Sequence, residues 1–514
     1  MAIHESAASG NAHRWATLLL DLPTELLLMI FKYVDEQSLR CLAFLYRPLH
    51  YLILPLVLKG IPDPEHLSSQ TLALHNRETM SALPILRRIP SVSSLKRVRC
   101  RLTYSPRSAV PSRTETIRNT LGLRFLVENV TKVEEIWIGL PTDYYDADWE
   151  KAFAELLHAM ASKQCTSFTT VCYDRNMAHP EFDLQLCHFR SFFISPFVRR
   201  GRKSDYFVDL NVGKPRNWTA WQLLPLPVLT TFAIESPLFI YTPFLDWTLS
   251  TLHRSSSSIT TLHLSHLASR KQWAQILPRI TLFTLADFKI VSADLAFIDL
   301  MRFISRHLTI TTLYFLQYSS ISIPQSMPIR LRIKKIAMPN LTILSASPTF
   351  IHFLLGPGTG AQYRFPLLQA VEIIQYDDEP NYVNQAFQSL APICQAKQMS
   401  LFLTLGRGYH CSTWLSIGPG IRAERLLMVH HLVLRDHVST ALTSETTFRS
   451  LPRWLGLFPA VRHVSFHLKI LEDTAAREVV AFVRSISEAC PLVETITIGT
   501  RTSSVEAWLT TDEG

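Results

Sequence analysis

The chain has 514 residues, of which 47% are hydrophobic and 18% are charged, so extensive disorder is excluded. Lys and Arg number 51 against 42 Asp and Glu, and the resulting net charge of +9 is mild for this length. Proline, with 30 residues, outnumbers glycine, with 16, which favours many short elements with firm ends over a few long helices.

Residues 22–58 form an apolar block that predicts three short helices. Pro23 suits the first turn of a helix, where a missing backbone N–H costs nothing. Helical spacing then predicts one buried stripe of five side chains: Leu26, Leu27, Ile30, Phe31 and Val34. Leu28 and Met29 point away from that stripe. A second helix follows from Leu39, and Pro48 opens a third.

Three short helices bury little apolar surface by themselves, so this block needs something to pack against. Two partners fit equally well at this point. One is a second protein, since a few apolar side chains can anchor an interface. The other is the rest of the chain, because the helices could simply cap the first unit of a larger core.

The order of residues in this block resembles the F-box motif. It reads Leu22-Pro23-x-Glu25-Leu26-Leu27-x-x-Ile30-Phe31-x-Tyr33-Val34-(x4)-Leu39, and the following segment RPLHYLILPLVLKGI is similar to the fungal variety. The resemblance implies binding to a Skp-type adaptor and, through it, to a cullin ubiquitin ligase. It also implies the motif positions that form or support the adaptor-facing surface: Leu22, Pro23, Ile30, Phe31 and Leu39. Leu28 and Met29 are further candidates for this surface, because they point away from the predicted buried stripe of the helix.

The rest of the chain repeats a six-residue pattern, apolar-x-x-apolar-x-apolar, often with a proline just before it. Its instances begin at residues 95, 133, 168, 229, 259, 280, 310, 341, 368, 429, 461 and 493, with a weaker one at 396. From residue 229 onward the spacing between instances stays between 21 and 33 residues. Helix-like segments lie between them, at 144–161, 294–308, 381–395 and 472–490.

One strand and one helix per unit predict an α/β solenoid with parallel strands on the concave face and helices outside. The Leu-x-x-Leu-x-Leu core resembles the leucine-rich repeat family in its long, irregular form. The predicted organisation is a disordered segment at 1–20, an F-box-like helical domain at 21–60, repeats at 61–500 and a tail at 501–514. With a repeat near 30 residues, this gives about 12–14 units. An ordinary α/β domain with a parallel sheet is the alternative.

No motif in the sequence predicts catalysis, a cofactor or a metal site. The Gly-rich stretch at 354–360 lacks the GK[ST] of a phosphate loop. The eight cysteines are scattered, form no CxxC pair and are predicted to be reduced and mostly buried, as in an intracellular protein of the cytoplasm or nucleus. The apolar run at 42–58 is interrupted by Arg47, Pro48, His50 and Pro55, so no membrane span is predicted.

A repeat protein binds its partner through the solvent-facing positions of its strands. These positions carry polar and aromatic residues, and the sequence analysis selects Trp137, Thr230, His263, Tyr314 and His463 as target-binding candidates. The charge at the solvent-facing positions of the strands changes sign from strand to strand, which argues against a nucleic-acid partner. The predicted function is a non-enzymatic substrate receptor of an SCF-type ligase that binds a protein target. The alternatives are a scaffold outside any ligase and an RNA-binding solenoid.

Overall fold

The computed structural model of the chain describes most residues between 21 and 510. The described ranges are 21–45, 69–75, 79–80, 83–86, 93–102, 113–141, 147–173, 224–226, 228–240, 244–265, 270–291, 295–316, 337–356, 364–374, 380–394, 398–405, 426, 429–436, 444–472 and 474–510, with residues 49, 52, 53, 56 and 57. Compact packing divides the chain into two units at Leu229 and Thr230.

The first unit begins with two helices, α1 (Thr24–Phe31) and α2 (Glu36–Leu45). Asp35 caps α2, because its carboxylate accepts hydrogen bonds from the Ser38 amide at 3.0 Å and the Ser38 hydroxyl at 2.6 Å. Of the predicted third helix, the described residues 49, 52, 53, 56 and 57 have helical backbone. Leu49, Ile53 and Val57 are buried at a spacing of four residues, as one helical face requires.

Four parallel strands follow in the first unit: β1 (Thr71–Leu74), β2 (Ser94–Arg101), β3 (Lys132–Pro141) and β4 (Ser167–Tyr173), paired in chain order. The helices between them are α3 (Leu83–Leu86), α4 (Arg113–Asn129) and α5 (Ala147–Ala161). Alternate strand residues turn toward these helices. The Cys100 thiol of β2, for example, lies 3.7 Å from the sulfur of the helical residue Met80.

The second unit continues the same pattern over a longer stretch. Its parallel strands, again paired in chain order, are β5 (Thr231–Ile234), β6 (Thr261–Ser265), β7 (Asp287–Val291), β8 (Thr312–Leu316), β9 (Ile343–Ala346), β10 (Ala370–Ile374), β11 (Met399–Leu405), β12 (Val429–Asp436), β13 (His463–His467) and β14 (Thr495–Ile498). The helices between them are α6 (Phe244–Arg254), α7 (Arg270–Ile276), α8 (Phe297–Arg306), α9 (Pro348–Leu355), α10 (Pro380–Cys394), α11 (Ser444–Leu455), α12 (Lys469–Glu472) and α13 (Ala476–Ala489). Short 3₁₀ turns occupy Pro237–Ile240 and Leu277–Arg279.

Aromatic rings join the sheet of the second unit to its helices. Phe288 of β7 packs on Phe303 of α8 at 4.6 Å between ring centroids, and Phe315 of β8 packs on Phe350 of α9 at 4.5 Å. The helices therefore cover one face of the sheet, and strand residues at alternate positions point to the opposite, helix-free face. Both units consist of strand–helix repeats, so the predicted α/β fold of parallel strands with helices on one side is confirmed.

Threonine hydroxyls link successive repeats where each strand begins. The hydroxyl of Thr260 donates to the carbonyl of Thr230 at 3.3 Å, and that of Thr342 donates to Thr311 at 3.0 Å. The same bond joins Thr166 to Glu134 in the first unit. Each bond spans about one repeat, so these threonine side chains link neighbouring repeats.

One predicted repeat core is wrong. The pattern beginning at Ile280 predicts a strand over 280–285, but the strand in this repeat is β7, seven residues later. Ile280 and Leu282 are buried in the turn that precedes the strand, and Leu285, Phe288 and Ile290 supply the repeat core. The corrected core at Leu285 lies 26 residues after Ile259 and 25 before Ile310, which removes the irregular spacing.

The segment predicted as a tail contains two elements. β15 (Arg501–Ser504) pairs antiparallel with β14, and α14 (Val505–Thr510) follows it. The Trp508 indole N–H donates to the Ile496 carbonyl at 3.0 Å, and the Arg501 guanidinium lies 4.0 Å from the Trp508 ring centroid. The reversal of direction covers the last parallel strand, as the end of a repeat array requires. The boundaries proposed for the four sequence domains stay a prediction.

Candidate interaction surfaces

Helix α1 presents an apolar surface that the described part of the first unit does not cover. Leu26, Met29 and Ile30 are 44%, 57% and 41% exposed, and Tyr33, just past the helix, is 90% exposed. Together with Leu22 they line a cavity of about 270 Å³ that contains no charged residue. We call these five residues the α1 groove. Burying such side chains against a partner contributes roughly 1.5–3 kcal/mol each.

The predicted adaptor-binding residues divide between this groove and the packing beneath it. Leu22, Met29 and Ile30 line the groove, Pro23 is exposed beside it, and Leu28 is half-buried. Phe31 and Leu39 are buried, at 1% and 6% exposure, so in this structure they support the groove instead of facing a partner.

The predicted buried stripe of the first helix is only partly correct. Leu27 and Phe31 are buried and Val34 is half-buried, whereas Leu26 and Ile30 are exposed in the groove. Leu26 and Tyr33 are groove residues that the sequence analysis did not select. The spacing of Leu22, Leu26, Met29 and Tyr33, at three to four residues, is a second helical stripe that would have identified them.

The helix-free face of the first unit carries arginines and an aromatic ring. Trp137, a predicted target-binding residue, is half-buried there, with the His75 ring edge-on to it at 6.4 Å between centroids. Arg97 pairs with Glu135 of the next strand at 2.7 Å. Each partner is about two-fifths exposed, so this ion pair contributes little to stability.

The helix-free face of the second unit contains a buried ionisable cluster. Its members lie at aligned positions of neighbouring strands. In the register of the sheet, His263 lies opposite Lys289, and Lys289 lies opposite Tyr314. The His263 ring nitrogen lies 3.7 Å from the Glu235 carboxylate and the other nitrogen lies 2.8 Å from the Ser265 hydroxyl. Further along the row, Glu372 accepts hydrogen bonds from Ser345 and Thr404.

Burial governs the protonation of this cluster. Desolvation raises the pKa of Glu235 to about 7, although the positive charge of Lys289 opposes that rise. Desolvation also lowers the pKa of Lys289, against the attraction of the carboxylates of Glu235 and Glu372. The sequence analysis expected His263 to face solvent, and this is corrected, because His263 is only 5% exposed. Tyr314 is half-buried and packs against Val291, Leu316 and Ile374.

The remaining target-binding candidates are accessible. Thr230 is exposed, and its backbone carbonyl receives the linking bond from the next repeat. His463 is exposed on β13, where its ring bonds the Thr495 hydroxyl at 2.8 Å and lies 6.3 Å from the His431 ring. The structure therefore places Trp137 in one unit and Thr230, His263, Tyr314 and His463 in the other.

Within the described ranges, no three His, Cys, Asp or Glu side chains come together in a way that could hold a metal ion. The described cysteines that the structure reports as free thiols are Cys41, which is exposed, and Cys100, Cys165 and Cys490, which are buried. Cys41 therefore departs from the predicted burial. No helix in the described part of the chain is long and apolar enough to cross a membrane. The sequence also contains a basic run, RRGRK at 199–203, which lies outside the described residues.

No protein-family model matches this chain, and no curated protein matches it. Among solved structures, it is similar to the leucine-rich repeat-containing protein LegL7 from Legionella pneumophila. That similarity has a TM-score of 0.32 and a sequence identity of 9%, and it covers 87% of this chain and 98% of the other.

Proposed function

We propose that this chain is a binding protein that docks a Skp-type adaptor through the α1 groove and holds a protein target on its repeats. In this proposal it is the substrate receptor of an SCF-type ubiquitin ligase, and it carries out no chemistry of its own. The observation that supports docking is the groove itself, in which Leu26, Met29 and Ile30 of α1 and the flanking Leu22 and Tyr33 line one cavity. Exposed apolar side chains clustered around a cavity are typical of protein interfaces.

The packing beneath the groove favours a docking role over a role as a cap for the first repeat. Leu27 and Phe31 already fill the face of α1 that turns inward, and Leu39 and Ala43 of α2 are buried with them. The internal core thus uses a stripe of α1 that is separate from Leu26, Met29 and Tyr33. Substitutions in the groove can therefore be made without disturbing that core.

Co-purification of the full-length chain with a Skp-type adaptor tests this proposal. We expect the wild-type chain to retain the adaptor, and Met29→Asp and Ile30→Asp to lose it, because each places a charge in an apolar interface. Lys32→Asp is the matched control, since Lys32 is exposed just past the same helix but does not line the groove. A groove variant that remains folded and still retains the adaptor would contradict the proposal, as would a wild-type chain that never binds it.

A further inference from the structure

Two histidines from neighbouring repeats lie side by side in the second unit. His431 of β12 and His463 of β13 are register partners, and adjacent strands of a sheet lie about 4.8 Å apart. Their ring centroids are 6.3 Å apart. Phe466 of β13 packs on Phe482 of α13, so His463, at an odd number of residues from it, points to the helix-free face. His463 is exposed and His431 is half-buried, so both rings border that surface.

Neighbouring side chains hold both imidazole rings in place. The His463 Nδ1 lies 2.8 Å from the Thr495 hydroxyl of β14. When Nδ1–H donates this bond, the lone pair of the ring is on Nε2, and histidines that bind metals commonly use this arrangement. The His431 ring packs edge-on to Phe402 of β11 at 5.9 Å between centroids. The two rings are therefore restricted in orientation and lie next to one another.

The charge around His431 keeps its imidazole neutral at pH 7. Burial lowers the pKa of His431, and the positive charges of His463 and Arg435 lower it further. The Arg435 guanidinium lies 3.7 Å from the Glu372 carboxylate, so part of its own charge is compensated. A neutral imidazole retains the lone pair that coordinates a metal ion.

We propose that His431 and His463 together bind a divalent transition-metal cation such as zinc, with water in the remaining coordination positions. Imidazole nitrogen is a preferred ligand of zinc, copper and nickel ions. A zinc ion lies about 2.0–2.1 Å from each ligating nitrogen, so two imidazoles on one ion have centroids roughly 5 Å apart. Rotation of the two side chains by about 1 Å toward each other brings this pair to that separation.

Two hydroxyl residues flank the pair at aligned positions of the sheet. Ser400 lies opposite His431 on one side, and Thr495 lies opposite His463 on the other. Hydroxyls at these positions suit hydrogen bonds to water on the metal ion. The site goes beyond the proposed receptor function, and it does not depend on the α1 groove.

Isothermal titration calorimetry of the full-length chain with Zn²⁺ alone tests this inference. The test variants are His431→Gln, His463→Gln and the double variant. The control is His158→Gln with His253→Gln, which removes two exposed histidines on helices of different units. Circular dichroism checks that each variant folds. His463→Gln changes only an exposed side chain, so it tests the site even where His431→Gln is destabilised.

We expect each single variant to lose about tenfold or more in zinc affinity, because the remaining imidazole has no partner to complete the chelate. The double variant should lose little more than either single variant, since both histidines serve one site. The control should change by less than about twofold. Wild-type affinity in His463→Gln, losses that add in the double variant, or an equal loss in the control would overturn the inference.

Discussion

The ammonium group of Lys289 lies 4.4 Å from the centre of the Tyr314 ring, its register partner on the next strand. A cation over an aromatic face is attracted by the ring, and burial strengthens that attraction. The carboxylates of Glu235 and Glu372 also attract the Lys289 ammonium group electrostatically, from both sides of its strand. Lys289 therefore interacts electrostatically with carboxylates on both sides of β7, one just after β5 and one on β10.

The pKa of Glu235 predicts a stability that depends on pH. Since its folded pKa, about 7, lies above the ordinary 4.5, its contribution to stability is fully present below pH 4.5 and is lost as the pH rises through 7. The groups that face it are His263 and Lys289. We expect Glu235→Gln to gain stability relative to wild type between pH 5 and pH 8, by up to about 3 kcal/mol.

Urea unfolding followed by circular dichroism at several pH values measures this difference. Glu494→Gln is the control, because Glu494 is an exposed carboxylate whose ion pair with Arg462 contributes little to stability. A constant difference between Glu235→Gln and wild type across this range would contradict the prediction.

His307 bridges two repeats in its neutral form. Its Nδ1–H donates to the Phe303 carbonyl at 2.7 Å, and its Nε2 accepts the Leu282 amide at 3.0 Å, so a second proton would break the latter bond. Burial, with Arg306 nearby, lowers the pKa of His307 below 6.5. Its contribution to stability is therefore present above pH 6.5 and is lost as the pH falls toward the lowered value.

We expect His307→Leu to cost about 2 kcal/mol at pH 7, because the buried Leu282 amide loses its acceptor. Wild type should then lose stability more steeply than His307→Leu between pH 7 and pH 5. Denaturant unfolding of both proteins at each pH gives this comparison. Parallel pH profiles would show that His307 does not titrate on unfolding.

Gly499 occupies the turn between β14 and β15 with a φ of +60°, a region that side chains disfavour. An added Cβ there would also lie 3.1 Å from the Glu472 Cγ. We expect Gly499→Ala to lose about 1–2 kcal/mol of unfolding free energy. Thr500→Ala, at the exposed neighbouring position of the same turn, should cost much less, and equal losses in thermal or urea unfolding would argue against backbone strain.

Trp508 stabilises the antiparallel end of the second unit. Trp508→Phe removes the indole donor to the Ile496 carbonyl and should cost about 1 kcal/mol, whereas Trp508→Ala also opens a cavity and should cost about 3 kcal/mol or more. Hydrogen exchange should show the β14 amides losing protection first in Trp508→Ala. Unchanged exchange of β14 would mean that α14 does not protect the last strand.

Several elements could be predicted from periodicity alone. The helix expected at 294–308 is α8, and the strand cores expected from residues 95, 133 and 168 onward lie in β2, β3 and β4. The core at Ile280 failed because the same pattern also fits Leu285, Phe288 and Ile290, and Phe283, the second apolar position of the predicted core, is 66% exposed. Only pairing with the neighbouring strands decides between the two registers.

The α1 groove was also predicted only in part from the sequence. The sequence predicted that the apolar residues of the first helix exceed what its small core can bury. It assigned Leu26, Leu27, Ile30 and Phe31 to one buried stripe, whereas the structure buries Leu27 and Phe31 and turns Leu26 and Ile30 outward. Two apolar stripes lie side by side on this short helix, and the position of the neighbouring helix selects the one that is buried.

The sequence by itself determined the repeated strand–helix unit, because alternating and helical apolar spacing are properties of adjacent residues. It also placed arginines at alternate positions of one strand. Only the tertiary structure decided that His263 is buried while His463 is exposed, and that Arg99 lies beside Trp137. These relationships join residues about one repeat apart or more, and they depend on how the strands align when the repeats stack.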